Sequence, residues 1–200
     1  PPPPPEPEKP KVDPARLRWK AALAYATHRD YPAAMEALKG SGPATALADA
    51  EYVRKVASAV QETHQVISKW PRGQKVSLEH TVPSGQVERL EGLVERAGPF
   101  RIEVKRGEER VTVELGEIAA RSLAEIYRAR PGRRPEFDAP VAALLCLLEG
   151  DAEAAKADLA SVPERFREYA AEARANPDPR DAGARKAFAE AGKSARVHAT

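Results

Sequence analysis

The sequence predicts an α+β chain, mainly helical, with a four-stranded antiparallel sheet inserted among the helices. Two observations carry this. Most of the 200 residues place apolar side chains at three- and four-residue steps, and much of the 42% hydrophobic content is Ala, a strong helix former whose small bulk suits closely packed helices. Residues 100–115, FRIEVKRGEERVTVEL, instead alternate apolar and polar side chains with Gly107 near the middle, the period of two that marks strands.

The elements follow in chain order. Residues 1–12, PPPPPEPEKPKV, hold seven prolines; such a stretch cannot form helix or sheet, favours extended polyproline II and reads as a stiff linker. Asp13-Pro14 supplies an N-cap and a proline at the first helical position, so a helix is expected to about His28. A second runs from Tyr31-Pro32 to Gly40, and SGPA at 41–44 breaks the chain. Leu47, Ala50, Val53, Val56, Val60, Ile67 and Trp70 form one apolar stripe over a long helix, 45–70, which Pro71 and Gly73 end. Four strands come next. KVSLEHTV (75–82) turns Val76, Leu78 and Val82 to one face, and VERLEGLVERAG (87–98) does the same with Leu90, Gly92 and Val94, Gly92 suggesting a bend or bulge. Phe100, Ile102 and Val104 line the third strand, and Val111, Val113 and Leu115 the fourth. One apolar and one charged face is the pattern of an antiparallel sheet wet on one side. A helix over 117–129 should make contacts through Ile118, Leu123, Ile126 and Tyr127; a loop over 130–138, RPGRRPEFD, and helices at 139–149 and 151–160 follow. Ser161-Val-Pro-Glu164 has capping-box spacing for a last long helix to about Ala175. Residues 180–200 suggest one short helix near 182–191. The expected organisation is therefore a linker (1–12), a helical hairpin plus long helix (13–70), a β-module (71–116), a second helical hairpin region (117–175) and a polar tail (176–200).

Two distant segments echo each other. At an offset of 121, Ala21, Ala22, Leu23, Asp30, Ala33, Ala34 and Leu38 are matched by Ala142, Ala143, Leu144, Asp151, Ala154, Ala155 and Leu159. The pattern resembles the tetratricopeptide helix hairpin, in which small residues let two antiparallel helices approach and larger ones close the seam. Ala22, Tyr25, Tyr31, Ala34 and Leu38 fill the family's positions in the first copy; Ala143, Cys146, Ala152, Ala155 and Leu159 fill them in the second, without its aromatics. Residues 75–127 resemble small SH3-like or Sm-like barrels, such as those in C-terminal regions of large multidomain bacterial proteins, some joined to serine/threonine kinases by proline-rich linkers. The alternative is an ordinary β-meander. The resemblance implies a repeat-like helical domain carrying an SH3-like insert, cut from a larger protein with an adjoining domain before Pro1.

Little in the sequence points to catalysis. Thirty-two basic and 30 acidic side chains give a net charge of +2, with no basic stripe of the kind polyanion binders show. His28, His64, His80 and His198 lack zinc-ligand spacing with each other or with Cys146; His80 falls on an inward strand position, and Cys146, in VAALLCLLEG, reads as a small buried hydrophobe. No nucleophile elbow, phosphate-binding loop or dinucleotide fingerprint occurs. Ser84 sits in a hairpin turn without a suggested partner, and Glu108-Glu109 lie in the next turn. Arg130, Arg133 and Arg134 offer cations to an acidic group, although a solvated loop is the simpler reading. Arg101, Lys105 and Arg110 suggest a nucleic-acid face, but Glu103 and Glu114 share it and no aromatic platform does. No catalytic, cofactor-binding or metal site is assigned, and the partner-binding residues are left open. The leading expectation is a non-catalytic protein–protein interaction or scaffolding module; the alternative is a nucleic-acid-binding barrel on a helical support. No run of about 18 apolar residues is present, no signal peptide is seen, and the single cysteine fits a reducing, cytoplasmic setting.

Overall fold

A computed structural model describes residues 14–39 and 45–175. The helices α1 (Pro14–Thr27) and α2 (Tyr31–Lys39) form a hairpin, and α3 (Thr45–Ile67) returns along it. Strands β1 (Lys75–Thr81), β2 (Val87–Ala97), β3 (Arg101–Arg106) and β4 (Glu109–Glu114) follow as an up-and-down meander in the order β1-β2-β3-β4. A 3₁₀ turn over Leu115–Glu117 leads to α4 (Ala120–Ala129) and α5 (Pro135–Leu148); then come the single turn α6 (Ala152–Ala155), a 3₁₀ segment over Lys156–Ser161, and α7 (Glu164–Ala175). The proline-rich stretch, the Asp13 cap and the helix expected near 182–191 lie outside the described residues.

One continuous core joins helices and sheet: Val76, Leu78, Leu90, Val94, Ile102, Val104 and Val113 from the inner sheet face pack in the same cluster as Val53, Val56, Ile67, Leu123 and Leu144 from the helices. The strict alternation of β3 explains this, because residues two apart share a face. The two hairpin turns are built alike. Arg29 N–H donates to Ala26 O and Asp30 N–H to Tyr25 O; 121 positions on, Gly150 N–H donates to Leu147 O and Asp151 N–H to Cys146 O. Asp30 and Asp151 each accept from an amide three residues ahead, Ala33 and Ala154, through a carboxylate oxygen. Ala22, Ala34, Ala143 and Ala155 are all buried at the close approaches. The hairpins also meet each other: Thr27 Oγ1 donates to Leu148 O at 3.1 Å, a contact between residues 121 apart. The helix after each hairpin crosses to the other one, α3 packing on α5 and α7 on α1.

Several boundaries depart from expectation. The long helix ends at Ile67, and Trp70 packs on the core from the turn beyond it. Val82 lies past β1, where its amide closes the β1–β2 turn on Gln86 O. Gly92 is not the bulge; the register shifts between Val94 and Arg96. Gly92 answers a different need, since a Cβ there would stand 2.4 Å from Lys105 O and 2.7 Å from Val104 Cγ1, so only glycine lets β3 cross β2 this closely. Phe100 precedes β3 in the turn and is 80% exposed. The last helix is not capped by Ser161, whose hydroxyl donates to Asp158 O, and begins instead at Glu164 after Pro163. The helix expected at 151–160 is α-helical for one turn only, then tightens to 3₁₀.

The sheet does not close into a barrel. After β4 the chain crosses the end of the sheet: Leu115 N–H donates to Phe100 O, Ile118 forms an isolated bridge with His80, and Ala119 N–H donates to Glu79 O. Glu79 N–H donates in turn to Ser122 Oγ on α4, at 2.7 Å. One bridge and two side contacts thus cover the β1 edge where a fifth strand would be needed for closure.

Candidate functional site

Among the described residues, an open concavity lined by aromatic side chains lies between α3 and α5. It is a groove of about 450 Å³ walled by Tyr52, Lys55 and Ser58 on one side and Phe137 and Pro140 on the other, with Tyr127 at its floor. The sequence places these residues by two devices. On α3, Tyr52 and Lys55 flank the buried Val53 and Val56, so they fall on the rim of the helix's apolar stripe, three apart and on one face. Lys55 Nζ sits 5.3 Å from the Tyr52 ring centre, a cation–π distance.

The opposite wall depends on Asp138. Helix α5 begins at Pro135, four residues earlier than the expected 139, and carries Pro140 inside it. Pro135 stands at the first helical position, where a missing N–H costs nothing. Asp138 secures the turn: its carboxylate accepts from Arg134 N–H at 2.7 Å and from both terminal nitrogens of Arg130 at 3.0 and 2.9 Å. Burial of Asp138 disfavours its charged form, but the Arg130 guanidinium and the Arg134 amide more than compensate and hold the carboxyl below the usual range. Arg130 also donates to Tyr127 O, stacks 3.6 Å over the Tyr127 ring and pairs with Glu62 of α3. Burial pushes the Tyr127 phenol up to about 12. With the first turn of α5 fixed, Phe137 projects into solvent at 62% exposure. Of the three loop arginines, Arg130 is therefore a structural brace, while Arg133 and Arg134 are exposed; Arg133 lines a smaller hollow of about 140 Å³ beside Asp158.

A second polar centre joins the two hairpins to the sheet. Arg29 has φ 59°. Its guanidinium meets both carboxylate oxygens of Glu149, at 2.7 and 2.9 Å, and donates to Gly116 O and Ile118 O at 3.1 and 2.6 Å. Burial works against its charge, yet Glu149 raises its pKa overall. His64 lies nearby; burial first, then the Arg29 charge, depress its pKa. Its Nε2 and the Tyr31 hydroxyl are buried without hydrogen-bond partners among the described residues.

The remaining residues singled out from sequence do not assemble. His28 is exposed in the α1–α2 turn and His80 is buried at the bridge to Ile118; His198 lies outside the described residues. Cys146 is fully buried against Ala120 O, and burial raises its thiol to about 12, far from the thiolate form that nucleophilic chemistry needs. Ser84 Oγ accepts from Gln86 N–H within its own turn, and Glu109 pairs with Arg106 at 2.7 Å. Glu108 is exposed beside it. On the outer sheet face Arg110 pairs with Glu95 at 2.8 Å and Arg89 with Glu91 at 3.0 Å, while Arg101 and Lys105 share that face with Glu103 and Glu114. At one end of the sheet Phe100, Arg96 and Arg101 border a hollow of about 330 Å³. Among the described residues no three His, Cys, Asp or Glu side chains gather as a metal site, and no helix is long and apolar enough to cross a membrane.

No protein-family model matches the chain, and no curated protein or solved structure is significantly similar to it. The groove of α3 and α5 was legible only in part. Tyr52 and Lys55 sit on a strong helical pattern, whereas Phe137 falls in the segment expected as loop, 130–138, between two prolines, Pro135 and Pro140.

Proposed function

We propose that this domain is a non-catalytic protein-interaction module that holds a peptide segment in the groove between α3 and α5. One observation carries the reading: Phe137 stands mostly exposed on a turn fixed by the Asp138–Arg130 brace, facing the partly buried Tyr52 across an open concavity. An exposed aromatic on a rigid base beside a second aromatic is the composition of interface anchors. The tetratricopeptide-like and SH3-like resemblances belong to this proposal. The matched hairpin turns support the first; the second rests on the four-stranded antiparallel meander alone, since the sheet stays open. The nucleic-acid reading is weaker because acidic partners occupy the outer sheet face.

The test is selection of a random peptide library on the full 200-residue chain and on its Phe137→Ala variant. Peptides enriched by the parent and released by the variant are expected. Peptides held equally by both would overturn the assignment of the groove.

A further inference from the structure

The groove's chemistry and its distance from the chain's proline-rich stretch together identify an occupant. The groove wall offers ring faces and a proline, together with charged side chains of both signs. Lys55 and Glu136 are both exposed, and neither forms a salt bridge with another of the described residues. Arg54, by contrast, is already held by Glu51 at 2.6 Å, and Glu62 and Asp138 by Arg130. Aromatic-lined grooves take polyproline II segments because proline presents flat apolar edges and its extended form is already ordered before binding. Residues 1–12, PPPPPEPEKPKV, have that composition, with two acids, Glu6 and Glu8, followed by two bases, Lys9 and Lys11. A segment with both signs suits a groove that exposes a cation, Lys55, on α3 and a carboxylate, Glu136, on α5.

The geometry places the segment within reach. Trp19 of α1 packs edge-on against Phe166, with ring centres 4.7 Å apart, and Phe166 packs against Tyr52 of the groove at 5.1 Å. Trp19 Nε1 also donates to Asp49, one helical turn before Tyr52. The start of α1 at Pro14 is five residues before Trp19, about 7 Å along the helix axis. Twelve residues of polyproline II span roughly 37 Å, ample to run from Pro14 along the α3–α5 groove.

We propose that residues 1–12 dock in cis in this groove, so that the chain carries its own proline-rich ligand and any external peptide must displace it. This rests on the groove being a peptide site. The test is paramagnetic broadening in the full chain with a nitroxide label on Pro2→Cys. The buried, unreactive Cys146 leaves the introduced thiol as the one that reacts. Amide signals of residues 52–58 and 136–141 are expected to lose intensity, and Phe137→Ala in the same labelled chain is expected to restore them. Broadening confined to the sheet or to residues next to Pro14, or broadening of the groove that Phe137→Ala leaves unchanged, overturns the inference. If the groove stays unbroadened while library-selected peptides still bind the parent and not Phe137→Ala, cis docking is wrong and the peptide-groove reading survives. If selected peptides also ignore Phe137, both fail.

Discussion

Arg29 occupies the left-handed region that few non-glycine residues enter, whereas the equivalent turn position in the second hairpin is Gly150, φ 88°. The strain is held by what the side chain reaches: a bidentate carboxylate and two carbonyls that belong to the second hairpin and to the chain leaving the sheet. Arg29→Ala strands Glu149, so an unfolding free energy lower by about 3 kcal/mol is expected from urea titration, the range for breaking a largely buried pair. Arg29→Lys recovers little of it, because an ammonium cannot match the fork geometry. His64, beside this pair, gives a pH signature. Its folded pKa lies below the ordinary 6.5, so the unfolded chain takes up the proton first. Stability attributable to His64 is thus complete above about 6.5, falls as pH drops through that value, and reaches its floor below the folded pKa. Between about pH 5 and 8 the parent's urea midpoint is expected to fall relative to that of His64→Gln as pH drops; parallel curves would contradict the assignment.

At the scale of elements, period-two alternation made the sheet readable. β3 and β4 fall where Ile102, Val104 and Val113 alternate with charged residues, and all three are buried. What sequence could not show was contact across strands. Gly92 looked like a bend, yet its constraint comes from β3 lying against it, 13 residues away in the chain. Gly92→Ala is expected to cost about 1–3 kcal/mol through overpacking against backbone that cannot yield; thermal melts of the variant check this. The same holds for the start of α5, where Asp138 and Arg130 outweigh the local signal of two prolines. The hairpin echo was legible because it rests on small residues at fixed spacing. Ala34→Leu and Ala155→Leu should each destabilise by about 1–3 kcal/mol. Unchanged stability in both would contradict the close helix approaches seen at these positions.

For the whole molecule, the hairpins pack directly on each other and the sheet's inner face joins the same core. Asp49 adds a tie across the helices, accepting from Trp19 of α1 and Arg165 of α7. Such a frame leaves the α3–α5 groove open on a rigid base, which favours binding because little ordering is needed on association. The central claim is that binding occurs in this groove and not on the charged face of the sheet. Its most direct test is one titration series: a library-selected peptide, and fluescent-labelled RNA and DNA, each against the full chain at about 50 and 200 mM salt. The expected result is peptide affinity that changes little with salt and falls more than about tenfold in Phe137→Ala, the loss of an anchor worth at least ~1.4 kcal/mol. Nucleic-acid affinity that is tight at the lower salt and drops by about 10³-fold or more at the higher, as released counterions dictate, with peptide binding indifferent to Phe137, would contradict it.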